Sequence, residues 1–233
     1  MTTYVLVHGA WSGAHGFHLI RPLLQGQGHQ VFTPSLTGIG ERVHLASAQV
    51  NLTTHIQDVV HTVVYEDLTD IVLLGFSYGG FVVTGALEHI AERVRHLVYV
   101  DAFVPSDGDT VQDLTGWNLD DMMGLGPRWL LPPTPREYED PSEGEWAIPR
   151  RVPHPIGCFT EAVRVPRSVD DLPFSRTYVL ATGEPREGGV AAFWGAGDRA
   201  RESDAWRYHE ITSNHMIPNN RPKELAQILL DLA

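Results

Sequence analysis

The 233-residue chain holds one cysteine, Cys158, so no intramolecular disulfide framework and no multi-cysteine metal site can form within it. Basic residues are scarce: 17 Lys and Arg stand against 29 Asp and Glu, a formal charge of −12. Nucleic acids and anionic membrane surfaces both need a basic footprint, so neither is expected as a partner. No apolar run approaches the roughly 20 residues that a spanning helix requires. The start, Met1-Thr2-Thr3-Tyr4-Val5-Leu6-Val7, lacks the basic residues and the apolar length of a secretory signal. These absences lead to the expectation of a soluble, cytoplasmic protein, with a homodimer as the one assembly left open.

What is present fits a single α/β core with an insertion. Apolar residues make up 42% of the chain and charged ones 20%, which supports a sizeable core and excludes wholesale disorder. Short apolar runs at Tyr4–Val7, Gln30–Leu36, Ile71–Phe76 and His96–Val100 read as buried strands. Between them Phe17–Gln25, Thr53–Tyr65 and Phe81–Arg93 read as helices. In the third, Val82, Val83, Ala86, Leu87 and Ile90 share one face at helical spacing. The alternation resumes with strands at Thr177–Ala181 and Trp206–Ile211 and a closing helix at Lys223–Leu232. Such a pattern predicts an α/β fold with a mostly parallel sheet flanked by helices, formed by residues 1–105 and 175–233.

Residues 106–174 break the rhythm. Ten of the 16 prolines fall between Pro127 and Pro173, and proline is excluded from helix interiors and central strands. Yet the segment carries Trp117, Met122, Met123, Trp129, Leu130, Leu131, Trp146 and Phe159, too much apolar surface for a solvated linker. A small ordered cap inserted into the core is the expectation.

The chemistry concentrates at Gly75-Phe76-Ser77-Tyr78-Gly79-Gly80, which follows the run Ile71–Leu74 directly and precedes a helical pattern. In this G-x-S-x-G context a serine sits on a tight strand-to-helix turn that projects its hydroxyl beyond the sheet edge, and the glycines relieve clashes across the turn. Ser77 is the candidate nucleophile. A serine hydroxyl needs an adjacent base, and the chain order serine, acid, histidine points to His215, in a loop after the last strand. His209 lies inside that strand and reads as an ordinary strand side chain. Two carboxylates compete for the third position. Asp101 ends the strand His96–Val100 among apolar neighbours and, as a buried charge, needs a partner. Glu184 follows Thr177–Ala181 in Gly183-Glu184-Pro185, where this arrangement usually presents its acid. Asp101 is preferred slightly, and Asp198 is a distant third, read as a loop or helix-cap residue.

Acyl transfer needs two donors aimed at the developing oxyanion. The backbone N–H of Tyr78 is one candidate, and that of Ala10, in Val7-His8-Gly9-Ala10-Trp11 after the first strand, is the other. His8 is expected to brace that loop by hydrogen bonding rather than to bind metal. Gly38-Ile39-Gly40-Glu41-Arg42 lacks the remaining marks of a phosphate loop and reads as a turn.

Taken together, His8-Gly9-Ala10-Trp11, Thr37-Gly38-Ile39-Gly40-Glu41-Arg42, the Ser77 motif, Asp101-Ala102-Phe103-Val104-Pro105 and His215-Met216 resemble the α/β-hydrolase superfamily. The likeness is to its compact branch of bacterial esterases, plant methyl esterases and hydroxynitrile lyases. The resemblance implies a cofactor-free serine hydrolase with a small cap over its pocket and Ala10 and Tyr78 as oxyanion donors. Plant members place an aspartate where this chain has Glu184, so the acid stays open. Hydroxynitrile lyases carry a lysine where this chain has Met216, which brings the ester-cleaving members closer. The expected substrate is a small apolar or aromatic ester, lactone or carbamate, cleaved through an acyl-enzyme, with Trp11, Phe76, Met122, Met123 and Trp129 around it. The alternatives are hydroxynitrile-lyase-like or cofactor-free oxygenase activity on the same residues, or a non-catalytic small-ligand receptor.

Overall fold

A computed structural model describes residues 1–124 and 126–233. Strand β1 (Thr3–Val7) leads to helix α1 (Arg21–Gln25), strand β2 (Gln30–Phe32), helix α2 (Leu52–Tyr65), strand β3 (Ile71–Phe76), helix α3 (Gly79–Ile90) and strand β4 (Val94–Val100). Short elements follow between 106 and 174: helices α4 (Val111–Thr115), α5 (Leu119–Met123), α6 (Pro141–Ala147) and α7 (Gly157–Thr160), with strands β5 (Leu130–Leu131) and β6 (His154–Pro155). Strand β7 (Ser175–Ala181), helix α8 (Ala191–Glu202), strand β8 (Trp206–Ile211) and helices α9 (Ile217–Asn220) and α10 (Pro222–Leu230) complete the chain.

Six strands form one parallel sheet in the order β2-β1-β3-β4-β7-β8, while β5 and β6 pair antiparallel. The chain leaves β1 toward β2 and returns to place β3 on the other side of β1. Between β1 and β3 the direction of winding therefore reverses, and in open parallel sheets the crevice beyond the strand ends at such a point is where ligands bind. The segments His8–Trp11 and Ser77–Gly80 leave the sheet there.

Alternation along the strands divides the core between the two faces of the sheet. Val5, Val7, Leu73, Leu97 and Tyr99 pack with α2 and α3, whereas Tyr4, Leu6, Val72, Leu74, Val98 and Val100 pack with α1 and α10. Val111, Leu119, Met123, Leu131, Phe159 and Val163 join the first of these clusters, so the 106–174 segment packs onto the main core. Trp11 ties it down: its backbone N–H donates to His154 Nδ1 (3.2 Å), its carbonyl accepts from Val152 N (3.0 Å), and its indole N–H donates to the Leu131 carbonyl (3.1 Å).

Three elements differ from the sequence reading, each for a local reason. The helix expected over Phe17–Gln25 is a 3₁₀ turn at Ala14–Phe17 followed by α1. Pro22 cannot continue an existing helix but fits the first turn of a new one. The strand expected to reach Leu36 ends at Phe32, two residues before Pro34, which has no amide hydrogen for a ladder. Helix α8 was not foreseen, because Gly195 and Gly197 weaken the helical signal. Its buried positions Phe193, Ala196, Gly197 and Ala200 nevertheless keep helical spacing. Asp198 is therefore a mid-helix residue, paired with Arg186 (3.0 Å) and Arg201 (2.8 Å) at the surface.

Candidate active site

Parallel strands β3 and β4 lie side by side and end at the same level, with Phe76 opposite Val100. The residues after them, Ser77 and Asp101, both adopt left-handed backbone angles, φ 56° and φ 40°. For a non-glycine residue that conformation costs free energy and persists only where the surroundings enforce it. Here the enforcement is hydrogen bonding: Ser77 N donates to the Val100 carbonyl (3.2 Å), Asp101 N to the Val179 carbonyl (2.7 Å), and Gly80 and Phe103 N–H groups to the Ser77 carbonyl (3.0 and 3.3 Å). The glycines of the turn are sterically required. A Cβ on Gly79 would lie 2.5 Å from the Val7 carbonyl oxygen, and one on Gly80 2.0 Å from that of Phe103.

His215 enters from the loop between β8 and α9 and joins the two. Its Nε2 stands 2.8 Å from Ser77 Oγ, and its Nδ1 2.6 Å from Asp101 Oδ2. Asp101 Oδ1 accepts the backbone N–H of Ala181 (3.1 Å). Because the Asp101 carboxylate is an acceptor only, the ring hydrogen sits on Nδ1, which leaves Nε2 free to take a proton from Ser77. The imidazole is buried between two aromatic rings, Phe76 on one side (5.0 Å, 27°) and Phe193 of α8 (5.0 Å, 1°). Desolvation pushes its pKa below the usual histidine value, opposed by the bond to Asp101.

Glu184 reaches the same residue at a different atom: its Oε1 accepts the backbone N–H of His215 (2.9 Å). Of the two carboxylates left open by the sequence, Asp101 stands at the ring and Glu184 at the loop that carries it. His209 lies half-buried on β8, as its strand position predicted.

The loops expected to hold an oxyanion are braced by neutral histidines. His8 accepts the Leu36 amide at Nε2 (3.2 Å) and donates from Nδ1 to the Gly9 carbonyl (2.9 Å), the bracing role foreseen for it. His55 donates from Nε2 to the Thr37 carbonyl (2.8 Å), so its Nδ1 accepts the Tyr78 hydroxyl (2.9 Å). Burial pushes the pKa of His8 down to about 4 and that of His55 to about 3. Among the described residues, the Ala10 and Tyr78 amides have no hydrogen-bond partner and stand beside Ser77.

His55, His154 and Cys158 bring three donor atoms within 4.8 Å of one another, a trio that could be mistaken for a metal site. Both ring nitrogens of His55 and the Nδ1 of His154 are already used to hold Thr37, Tyr78 and Trp11, and burial pushes the Cys158 thiol up, away from the thiolate a metal needs. The donor set fits bracing of the turn rather than metal binding.

Two cavities meet at Ser77, and both are lined by Ala10, Trp11 and Arg136. One extends past His8, Phe17, Phe76, Tyr138, Trp146 and Arg151, the other past Trp117, Phe159, Val190 and Phe193. Of the residues expected around the substrate, Trp11 lines both cavities and Phe76 the first. Met122, Met123 and Trp129 line neither cavity. Met123 is buried in the core and Met122 packs against it, because with Leu119 they share one face of α5 at helical spacing and that face joins the core. The Trp129 carbonyl accepts the Ile156 amide, which fixes it in the β5–β6 ribbon. The aromatic lining comes instead from Trp117, Trp146, Phe159 and Phe193, and the polar lining from Arg136, Tyr138 and Arg151, which sequence reasoning missed. The run Pro132-Pro133-Thr134-Pro135 before Arg136 was the one available signal of a rigid strap.

Residues 4–228 match the family model described as the alpha/beta hydrolase family. The chain belongs to that family. Among curated relatives it is 47% identical over 114 residues to a carbendazim hydrolyzing esterase of Nocardioides sp. (strain SG-4G), covering 49% of this chain and 47% of that protein. It is 32% identical over 113 residues to methylesterase 1 of Arabidopsis thaliana, covering 44% and 40%. The alpha-hydroxynitrile lyase of the same plant is 28% identical over 103 residues, covering 44% and 40%. The chain thus matches about half or less of the length of these relatives. Among solved structures, an extracellular alpha/beta-hydrolase from a Paenibacillus species superposes with a TM-score of 0.82 at 22% identity, covering 99% of this chain and 98% of that one. Tomato methylketone synthase I does so with 0.78 at 19% identity, covering 99% and 97%. At such identities these two speak for the fold. No helix among the described residues is long and apolar enough to cross a membrane.

Proposed function

We propose that this member of the family is a serine hydrolase that cleaves a small carboxylic ester, lactone or carbamate through an acyl-enzyme. The observation that carries the reading is the unbroken line from Ser77 Oγ through the His215 ring to Asp101, with contacts of 2.8 and 2.6 Å. In the proposed cycle His215 Nε2 takes the Ser77 proton as Oγ attacks the substrate carbonyl carbon, and the developing oxyanion is held by the Ala10 and Tyr78 amides. His215 then returns the proton to the leaving oxygen, and the alcohol departs. Water, deprotonated by His215, attacks the acyl-enzyme, and collapse restores Ser77 and releases the acid. Asp101 keeps the ring hydrogen on Nδ1 throughout and stabilises the imidazolium.

In this proposal the segment 106–174 is the cap, and the two cavities that part at Ser77 take the acyl and alcohol portions. Their aromatic walls suit an apolar or aromatic group on at least one side. The matched stretch of the Nocardioides esterase and that of the Arabidopsis methylesterase favour ester or carbamate cleavage. The test is a panel of aryl and alkyl esters, lactones and carbamates against wild type and Ser77→Ala, with fluorophosphonate labelling of both. The expectation is turnover and labelling in wild type only. Undiminished turnover in the variant would refute the mechanism, and an unlabelled wild type would favour a ligand receptor.

A further inference from the structure

Arg136 is a cation in an unusual place for a protein of net charge −12. It lies half-buried on the strap that follows Pro132-Pro133-Thr134-Pro135 and lines both cavities at Ser77. Arg151 donates to the Thr134 carbonyl and lies over the Trp11 ring, so it holds the strap. Arg136 has no such employment: among the described residues it makes no ion pair and no hydrogen bond. The carboxylates whose field reaches it, Glu184 and Asp101, are turned to His215. The cavity it shares with Tyr138, Trp146 and Arg151 contains no Asp or Glu among its lining residues.

A half-buried guanidinium without a partner loses part of its hydration with nothing in return, and desolvation pushes the Arg136 pKa down accordingly. Its planar fork is matched by a carboxylate, which it can grip through two parallel hydrogen bonds. A fork that lines the same cavities as Ser77, one of them free of Asp and Glu and the other holding only Glu187, is suited to a group that arrives with the ligand.

We propose that Arg136 anchors a carboxylate carried by the substrate, so that the site takes half-esters: small esters with a second, ionised acid group. The acid group enters the cavity lined by Tyr138 and Trp146, and the aromatic or apolar portion takes the cavity lined by Trp117 and Phe193. This rests on the hydrolase reading above and narrows its substrate class.

The test compares the monobenzyl ester of succinic acid with benzyl butyrate, which differs by carrying a methyl group in place of the carboxylate. The ratio of kcat/KM values for the two is measured in wild type, Arg136→Met and Arg136→Lys. Wild type is expected to prefer the half-ester, and the preference should fall about 30-fold or more in Arg136→Met, the loss typical of truncating one side of a buried charge pair. Arg136→Lys, which keeps the charge without the fork, should fall between. Calorimetric binding of the half-ester to Ser77→Ala, with and without Arg136→Met, reads the same contact without turnover, and circular dichroism melting of each variant confirms folding. An unchanged ratio in a folded Arg136 variant, or equal binding of both esters by Ser77→Ala, overturns the proposal while leaving the hydrolase reading intact. Cleavage of neither ester by a wild type that fluorophosphonate does not label, with half-ester binding that still depends on Arg136, sinks the hydrolase reading and keeps the anchor.

Discussion

Replacing Asp101 by asparagine should separate the two carboxylates that converge on His215. The aspartate receives two hydrogens, from His215 Nδ1 at Oδ2 (2.6 Å) and from the Ala181 amide at Oδ1 (3.1 Å). An asparagine has one oxygen for these two donors. If the oxygen faces the ring, the new NH₂ meets the Ala181 N–H donor to donor. If it faces Ala181, the NH₂ points at Nδ1 and forces the ring hydrogen onto Nε2, where it confronts Ser77 and cannot accept a proton. The first keeps the working tautomer but buries a donor-to-donor clash, whereas the second is free of that clash and disables the base, so the second should prevail. The expected loss in kcat is about 10³ to 10⁴, equivalent to about 4–5.5 kcal/mol of transition-state stabilisation, the scale found when a triad histidine is held in the wrong tautomer.

Glu184→Gln should behave differently. Its Oε1 accepts only the His215 backbone N–H (2.9 Å), and a glutamine oxygen serves the same donor, so kcat should stay within about tenfold of wild type. Its lost charge should also move the acid limb of the pH profile to lower pH, because Glu184 contributes to raising the His215 pKa. The assay is steady-state hydrolysis of an aryl ester by wild type and both variants, with melting curves to confirm folding. A loss in Glu184→Gln as large as in Asp101→Asn, or an Asp101→Asn enzyme within tenfold of wild type, would refute the reasoning.

Three further outcomes follow from the same contacts. The proposed base must be neutral, and desolvation holds the His215 pKa below the usual histidine value, so kcat/KM should rise with pH through a midpoint below that of a free imidazole, and a midpoint above it would contradict the burial argument. His8 and His55, held at about 4 and about 3, take up protons on unfolding below pH 6.5. Stability should therefore be full above that pH and fall as pH drops toward 4, by several kcal/mol in a series of urea titrations, since each tenfold difference in proton affinity between the folded and unfolded chain is worth roughly 1.4 kcal/mol. Gly80→Ala would place a Cβ 2.0 Å from the Phe103 carbonyl oxygen, and the forced backbone shift should cost about 2 kcal/mol or more. Melting should then come about 5 °C lower or more, and an unchanged Tm would show that the turn can yield.

Much of this site could be read along the chain because its first parts are local. A strand, a tight turn and a helix within a few residues identify Ser77, and chain order brings in His215. The acid resisted for a reason the structure makes plain: Asp101 and Glu184 follow neighbouring strands, β4 and β7, and both reach His215. Only the atom each one meets separates them, and that depends on how the loop folds back in three dimensions. The pocket was harder still. Composition told that 106–174 is too apolar to be a linker, but not which side chains turn inward, so Met122 and Met123 went to the core while Trp146 and Arg136 took the cavity. Phe193, stacked on the His215 ring, sits on a helix whose glycines obscured it. Nor does propensity foresee that Trp11, Ser77 and Asp101 all hold left-handed angles (φ 60°, 56° and 40°) without being glycine. A side chain is needed at each position for what it touches, so the backbone carries the strain that a glycine would have avoided. The sheet supports that strain through the amides of Ser77 and Asp101, which donate to carbonyls of β4 and β7. The alternation of strands, the most legible feature of the sequence, thus holds in place the turns that its local propensities disfavour.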